Sequence, residues 1–158
     1  MKYSVFLHIA GKLNQRLQIT PLLFGSLGLE RRLKMSLNAD DVDVLIPKRF
    51  IQDDWGALVK LMEEEGYVIV NSEEHEFECD GIHIAFASIE NLKPFADIEI
   101  SNISLLSDSG AAFYLLELSD YLKVYTASSK DGYRKNVKNK QDQKKIDLIN
   151  NKMREEKV

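Results

Sequence analysis

The sequence predicts a mixed α/β (α+β) fold, with one small mixed β-sheet flanked by helices and a helical carboxy-terminal end. Two observations lead there. Short apolar or alternating runs such as Leu22-Leu23-Phe24 and Asp41-Val42-Asp43-Val44-Leu45-Ile46 are interleaved with segments whose apolar residues recur at helical period. Only three prolines interrupt the chain, and no internal repeat or Pro- or Ser-rich linker divides it. Residues 1–158 therefore read as a single domain, with 118–158 as its helical carboxy-terminal portion.

Element by element, Val5, Ile9, Leu13 and Leu17 are spaced by four and predict a first helix from about Ser4 to Leu17, ended by Thr20-Pro21. Leu22-Leu23-Phe24 reads as a buried strand stopped by a tight Gly25-Ser26 turn. In Asp41-Val42-Asp43-Val44 strict alternation puts both aspartates on one face of a strand and both valines on the other, before Pro47 closes it. Asp53 or Asp54 caps a helix over 54–65, carried by Trp55, Leu58, Leu61 and Met62 and closed at Gly66. Tyr67 to Val70 is a strand, and Phe77-Glu78-Cys79 with Ile82 to Phe86 forms a hairpin across Asp80-Gly81.

Ser88 starts a short helix reaching Phe95 that Pro94 limits, and extended structure follows around Ile98 to Leu105 and Ala112 to Leu116. Ser119-Asp120 opens a helix carrying Leu122, Val124 and Tyr125. The last helix, Gln141 to Met153, places Ile146, Ile149 and Met153 on one stripe.

Composition bounds the function. The chain has 158 residues, 44% apolar and 29% charged, enough for one core and too short for a second full domain. No run approaches the ~18 apolar residues of a membrane-spanning helix, and Val5 to Ala10 is too short for a secretory signal, so a cytoplasmic protein with no membrane partner is expected. One cysteine, Cys79, excludes an internal disulfide and a cysteine-based zinc site, and Glu78 and Asp80 beside it disfavour a thiolate. Residues 1–129 carry 11 basic and 20 acidic side chains, whereas 130–158 carry 10 basic and 5 acidic. The carboxy-terminal pole can meet phosphates or simply be a solvated helix face. Glu63 to Asp80, with eight acids and no lysine or arginine, excludes duplex nucleic acid over that face.

The stretch that carries chemistry is Leu23-Phe24-Gly25-Ser26, followed after 14 residues by Asp41-Val42-Asp43-Val44. A small-residue turn after a strand lets backbone N–H groups approach a phosphate, and carboxylates at i and i+2 on a strand can share a divalent cation with it. Together they describe a metal–triphosphate site. Each part alone has a plainer reading, as a surface turn and as a solvated sheet face.

This pattern resembles the nucleotidyltransferase-fold proteins related to polymerase beta, whose motif is h-G-[GS] followed by D-h-[DE]-h. Leu118-Ser119-Asp120-Tyr121-Leu122-Lys123, Tyr133-Arg134 and Gln141 to Ile146 extend the resemblance to the branch of lincosamide nucleotidyltransferases and AbiEii-type toxins. The resemblance implies transfer of a nucleoside monophosphate from a nucleoside triphosphate (NTP) to an unidentified small-molecule or macromolecular acceptor, with Mg²⁺ or Mn²⁺ as cofactor. It implies that Gly25 and Ser26 hold the triphosphate, that Asp41 and Asp43 ligate metal, and that Lys145 meets a phosphate. A third acid belongs on a later strand, near Ile82 to Phe86, where the sequence has His83 instead. Asp97, in an extended Asp97-Ile98-Glu99, takes that role, with Glu78 or His83 as alternatives. A noncatalytic nucleotide-binding or protein-interaction module on the same fold is the competing reading. Acceptor, choice of NTP and oligomeric state are not encoded in any motif.

Overall fold

The computed structural model describes residues 1–130 and 138–157; Tyr133 and Arg134 lie outside them. Helix α1 spans Lys2–Leu17 and buries Phe6, Ile9, Ala10 and Leu13. The expected line through Val5 and Leu17 is displaced, and both are only partly buried. A four-residue step overshoots one helical turn by roughly 40°, so a strict i, i+4 line drifts around the helix while the core face stays with Phe6, Ile9 and Leu13.

Strand β1 (Leu22–Phe24) passes directly into helix α2 (Gly25–Leu33), so Gly25-Ser26 is the first turn of a helix and not an isolated tight turn. Strand β2 follows at Val42–Ile46 and helix α3 at Trp55–Glu64. Asp54 precedes α3 without a side-chain capping bond, because its carboxylate turns to Arg49, 3.8 Å away. Strands β3 (Val68–Asn71), β4 (Glu76–Cys79) and β5 (Ile82–Ser88) come next, the last two joined through Asp80 and Gly81 at φ 50° and 80°. Two left-handed residues in succession match the twist of a two-residue hairpin.

After β5, a 3₁₀ turn (Ile89–Asn91) leads into α4, Leu92–Ala96, with Pro94 in its first turn, where a missing N–H costs nothing. Ser88 does not cap this segment; its hydroxyl donates to Glu90 at 3.4 Å. Extended structure is confined to β6 (Ser104–Asp108) and β7 (Ala111–Leu115), with a 3₁₀ turn at Ile100–Asn102. Helices α5 (Leu118–Lys130) and α6 (Lys138–Glu156) complete the chain. Among the described residues, no helix is long and apolar enough to cross a membrane.

Among the described residues the seven strands form one mixed sheet in the order β3-β4-β5-β2-β1-β7-β6. β2 runs parallel to β5 and antiparallel to β1, while β1 meets β7 in parallel. Residues paired across strands project from the same face. One face carries Phe77, Phe86 and Phe113, and rings of α1 and α3 pack there: Phe6 edge-on to Phe113 at 5.2 Å, and Trp55 against Phe77 at 5.5 Å. The other face carries a row across four strands, Phe24 opposite Asp43, Asp43 opposite Ala85, and Ala85 opposite Glu76.

Two contacts fix the β1–α2 unit. Arg32 Nε donates to the Leu116 carbonyl at 2.8 Å, tying the helix to the end of β7. Tyr121 of α5 is fully buried and its hydroxyl donates to the Leu23 carbonyl at 2.9 Å; burial raises its pKa well above that of a free tyrosine. Gly28 lies beneath that bond, where a Cβ would stand 2.1 Å from the Tyr121 oxygen and 2.5 Å from the Leu23 oxygen. Gly28→Ala is expected to lower unfolding free energy by about 2–3 kcal/mol in urea titration, as over-packing does. Tyr121→Phe, which costs about 1–2 kcal/mol alone, removes one of the two clashing oxygens, so the double variant should be more stable than the sum of the single losses predicts.

Candidate functional site

The site grows from the junction of β1 and α2. Gly25 has φ +63°, a left-handed conformation that lets the chain turn from strand into helix within one residue. A side chain there is also excluded by contact: an added Cβ would lie 2.4 Å from Asp43 Oδ2. The Asp43 carboxylate thus lies directly against the backbone at the start of α2, the end at which helical N–H groups lack intrahelical partners and partial positive charge accumulates.

Asp43 is half-buried and borders a cleft of about 570 Å³, within the size range of small-molecule sites. Gly25 and Ser26 form its floor beside Asp43. Across from them, α5 and α6 contribute Tyr125, Ser128, Asp142 and Lys145. Ser128 and Asp142 are buried and joined by a 2.9 Å bond from the serine hydroxyl, which satisfies a carboxylate that would otherwise be costly to bury. Lys145 Nζ lies 5.0 Å from the centre of the Tyr125 ring, a cation held over an aromatic face at the cleft wall. The loop between β3 and β4 adds Glu73, Glu74 and His75, and is pinned to β5 by the Phe86 N–H, which donates to the His75 carbonyl at 3.1 Å.

Asp41 stands one residue before β2 and is exposed. It keeps to the Asp43 face, because its carboxylate comes within 4.8 Å of ligand atoms of Glu76 and His83. Ala85 occupies the β5 position beside Asp43, so the strand expected to supply a third acid presents a methyl group there. His83 lies two residues earlier on the same face, with Nδ1 2.9 Å from Glu76 Oε1. Glu78 pairs in register with His83.

Asp97 is not extended. It ends α4 at φ 56°, and Lys93 Nζ clamps it at 2.7 Å together with Glu99 at 2.5 Å. The hydrogen bond and charge of Lys93 hold the Asp97 carboxyl below the usual carboxylate range. An i, i+4 lysine has captured the two acids on the outside of the fold, and neither borders the cleft. Lys145 lines the cleft, whereas Lys144 is exposed outside it. His8 pairs with Glu65 on the surface.

Sequence reasoning passed over Glu76 and Ser128, and took in Asp142 only as part of the Gln141 to Ile146 stretch. Glu76 could have been found by extending the Glu78 alternation back one step and pairing it through the Asp80-Gly81 hairpin. Nothing local marks Ser128 and Asp142, which become a pair only when α5 and α6 dock.

The sheet order, the helix that opens at Gly25 and the aspartate beside it define a chain with the nucleotidyltransferase fold. An antigenic nucleotidyltransferase-like protein from Paracoccidioides brasiliensis superposes with TM-score 0.65 and 16% identity, over 92% of this chain and 73% of that one. ANT(2″)-Ia, solved in complex with adenylyl-2″-tobramycin, gives TM-score 0.59 and 12% identity over 99% of this chain and 92% of that one. No family model matches the chain. In sequence it belongs to the family of the uncharacterized protein YnaI of Bacillus subtilis (strain 168), with 45% identity over 148 residues that cover 94% of this chain and 95% of the relative.

Gly25→Ala tests the contact at the heart of the site. It should lower the urea midpoint by more than Gly110→Ala, which also has a left-handed φ (+82°) but nothing within 4 Å of its would-be Cβ. The excess, about 1–2 kcal/mol, measures displacement of Asp43.

Proposed function

We propose that this chain is, as one domain, a metal-dependent nucleotidyltransferase that moves a nucleoside monophosphate from an NTP to a hydroxyl or phosphate acceptor. The observation that carries the reading is the apposition of Gly25 and Asp43 at the start of α2, within a cleft, on a fold shared with nucleotidyltransferases. The placement of Leu118 to Lys123 on α5 and Gln141 to Ile146 on α6 supports a position near the lincosamide and AbiEii-like branch.

The donor set fits the cation. Asp43 and Asp41 offer hard carboxylate oxygens on one sheet face, the ligands Mg²⁺ or Mn²⁺ takes alongside phosphate oxygens. When bound, the ion neutralises triphosphate charge and polarises the reacting phosphorus. The chain's own groups do the rest. Backbone N–H groups at Gly25 and Ser26 hold phosphate oxygens, Lys145 reaches the triphosphate from α6, and the α5–α6 wall limits water. In transfer, an acceptor oxygen bonds to the α-phosphorus as the bond between that phosphorus and the bridging oxygen breaks. Pyrophosphate leaves with the electron pair, and the acceptor proton passes to a cleft carboxylate or to water.

Ala85 beside Asp43 favours one alternative, a nucleotide-binding module without transfer. The two readings separate by experiment. Mg²⁺ with ATP or another of the common NTPs should raise the melting temperature, with neither component sufficient alone. Label at the α-phosphate should enter an acceptor in cell extract, with γ-label released as pyrophosphate, and Asp43→Asn should cut this transfer by at least a hundredfold without unfolding the chain. Binding without transfer of either label establishes the module; transfer unchanged in Asp43→Asn removes Asp43 from the site.

A further inference from the structure

The geometry points to a mixed nitrogen–oxygen metal site formed by Asp41, Glu76 and His83, which takes a first-row transition-metal dication such as Co²⁺ or Zn²⁺ in preference to Mg²⁺. The three side chains come from different places: the residue before β2, the first residue of β4 and the second of β5. Their ligand atoms nevertheless all lie within 4.8 Å of one another.

Register explains the convergence. Glu76 pairs with Ala85 across β4 and β5, and Ala85 pairs with Asp43 across β5 and β2, so the glutamate belongs to Asp43's own row with only a methyl group between them. His83 lies two residues earlier on β5 and on the same face, where the parallel register of β2 and β5 brings Asp41 beside it. His83 Nδ1 and Glu76 Oε1 are 2.9 Å apart. Two donor atoms that each stand about 2.1 Å from one ion, at roughly 90° to each other, are separated by about 3 Å. The pair is already spaced as neighbouring ligands.

Electrostatics favours a cation here. Among the described residues, His83 is the only ion-pair partner of Glu76, and no lysine or arginine pairs with Asp41. Two carboxylates are thus gathered around an imidazole, and a dication would balance the excess negative charge. The imidazole also sets the kind of ion. Mg²⁺ prefers oxygen and water, whereas nitrogen from histidine suits zinc, iron, cobalt and nickel. The site lies beside Asp43 and deepens the nucleotidyltransferase reading by naming the ion class next to the triphosphate, yet metal uptake itself requires no nucleotide.

The test is titration of the nucleotide-free, full-length protein with Co²⁺, followed by its visible absorption and by calorimetry, with Mg²⁺ in parallel. One Co²⁺ per chain is expected, bound at least tenfold more tightly than Mg²⁺. His83→Ala and Glu76→Gln should each weaken Co²⁺ at least tenfold. His8→Ala, which removes the surface partner of Glu65, should leave uptake unchanged. If His83→Ala does not fold by circular dichroism, Glu76→Gln, which keeps the side-chain volume, carries the readout alone. Co²⁺ uptake indifferent to His83 and Glu76, or none at millimolar Co²⁺, overturns the inference. Loss of Co²⁺ uptake with Mg²⁺–NTP stabilisation intact overturns this site alone; uptake that depends on His83, in a protein that neither binds nor transfers nucleotide, overturns the transferase reading alone.

Discussion

The contact between the Gly25 backbone and the Asp43 carboxylate governs the rest of this structure. It requires β1 and β2 to be antiparallel neighbours in one register, α2 to start without a linker, and residue 25 to have neither a side chain nor a right-handed φ. Each requirement is met by a separate part of the fold. Arg32 anchors the far end of α2 to the end of β7, Tyr121 holds the carbonyl of Leu23, and Leu23 and Val44, paired across β1 and β2, are buried on the opposite face. A polar contact on one face is thus held in place by apolar packing on the other.

The same arrangement shapes the electrostatics of the cleft. A helix that begins at a strand end leaves its first N–H groups pointing past the sheet, and a half-buried carboxylate beside them makes the location bipolar. Anionic oxygens are attracted by the helix end and cations by the aspartate, so a metal-bound triphosphate suits both at once. The wall made by α5 and α6 adds Lys145 and the buried Ser128–Asp142 pair to the same cleft.

How much of this was legible in the sequence follows from how local each cause is. The Asp-Val alternation and the Asp80-Gly81 hairpin depend on neighbours in the chain; the hairpin forms as expected, and the strand does from Val42, with Asp41 just outside it. Gly25-Ser26 has the composition of a turn, and only the docking of α2 onto β1 makes it a helix start. Asp97 and Glu99 alternate like strand residues, but Lys93, four residues before Asp97, draws both acids outward. Ala85 and Glu76 carry no signal in isolation, because their meaning lies in a register shared by three strands. The face of α1 was misplaced by a fraction of a turn for a simpler reason, since spacing by four is only an approximation to 3.6.

The position of α6 has a consequence for how the protein matures. One part of the cleft is built by α5 and α6, from Val124 to Lys145, while its sheet residues lie between Phe24 and Ser88. A polypeptide still emerging from the ribosome has its sheet strands available before it has an enclosed cavity. The sheet face around Asp43 is thus made before the helices that wall it, and the cavity takes shape only once α6 has docked.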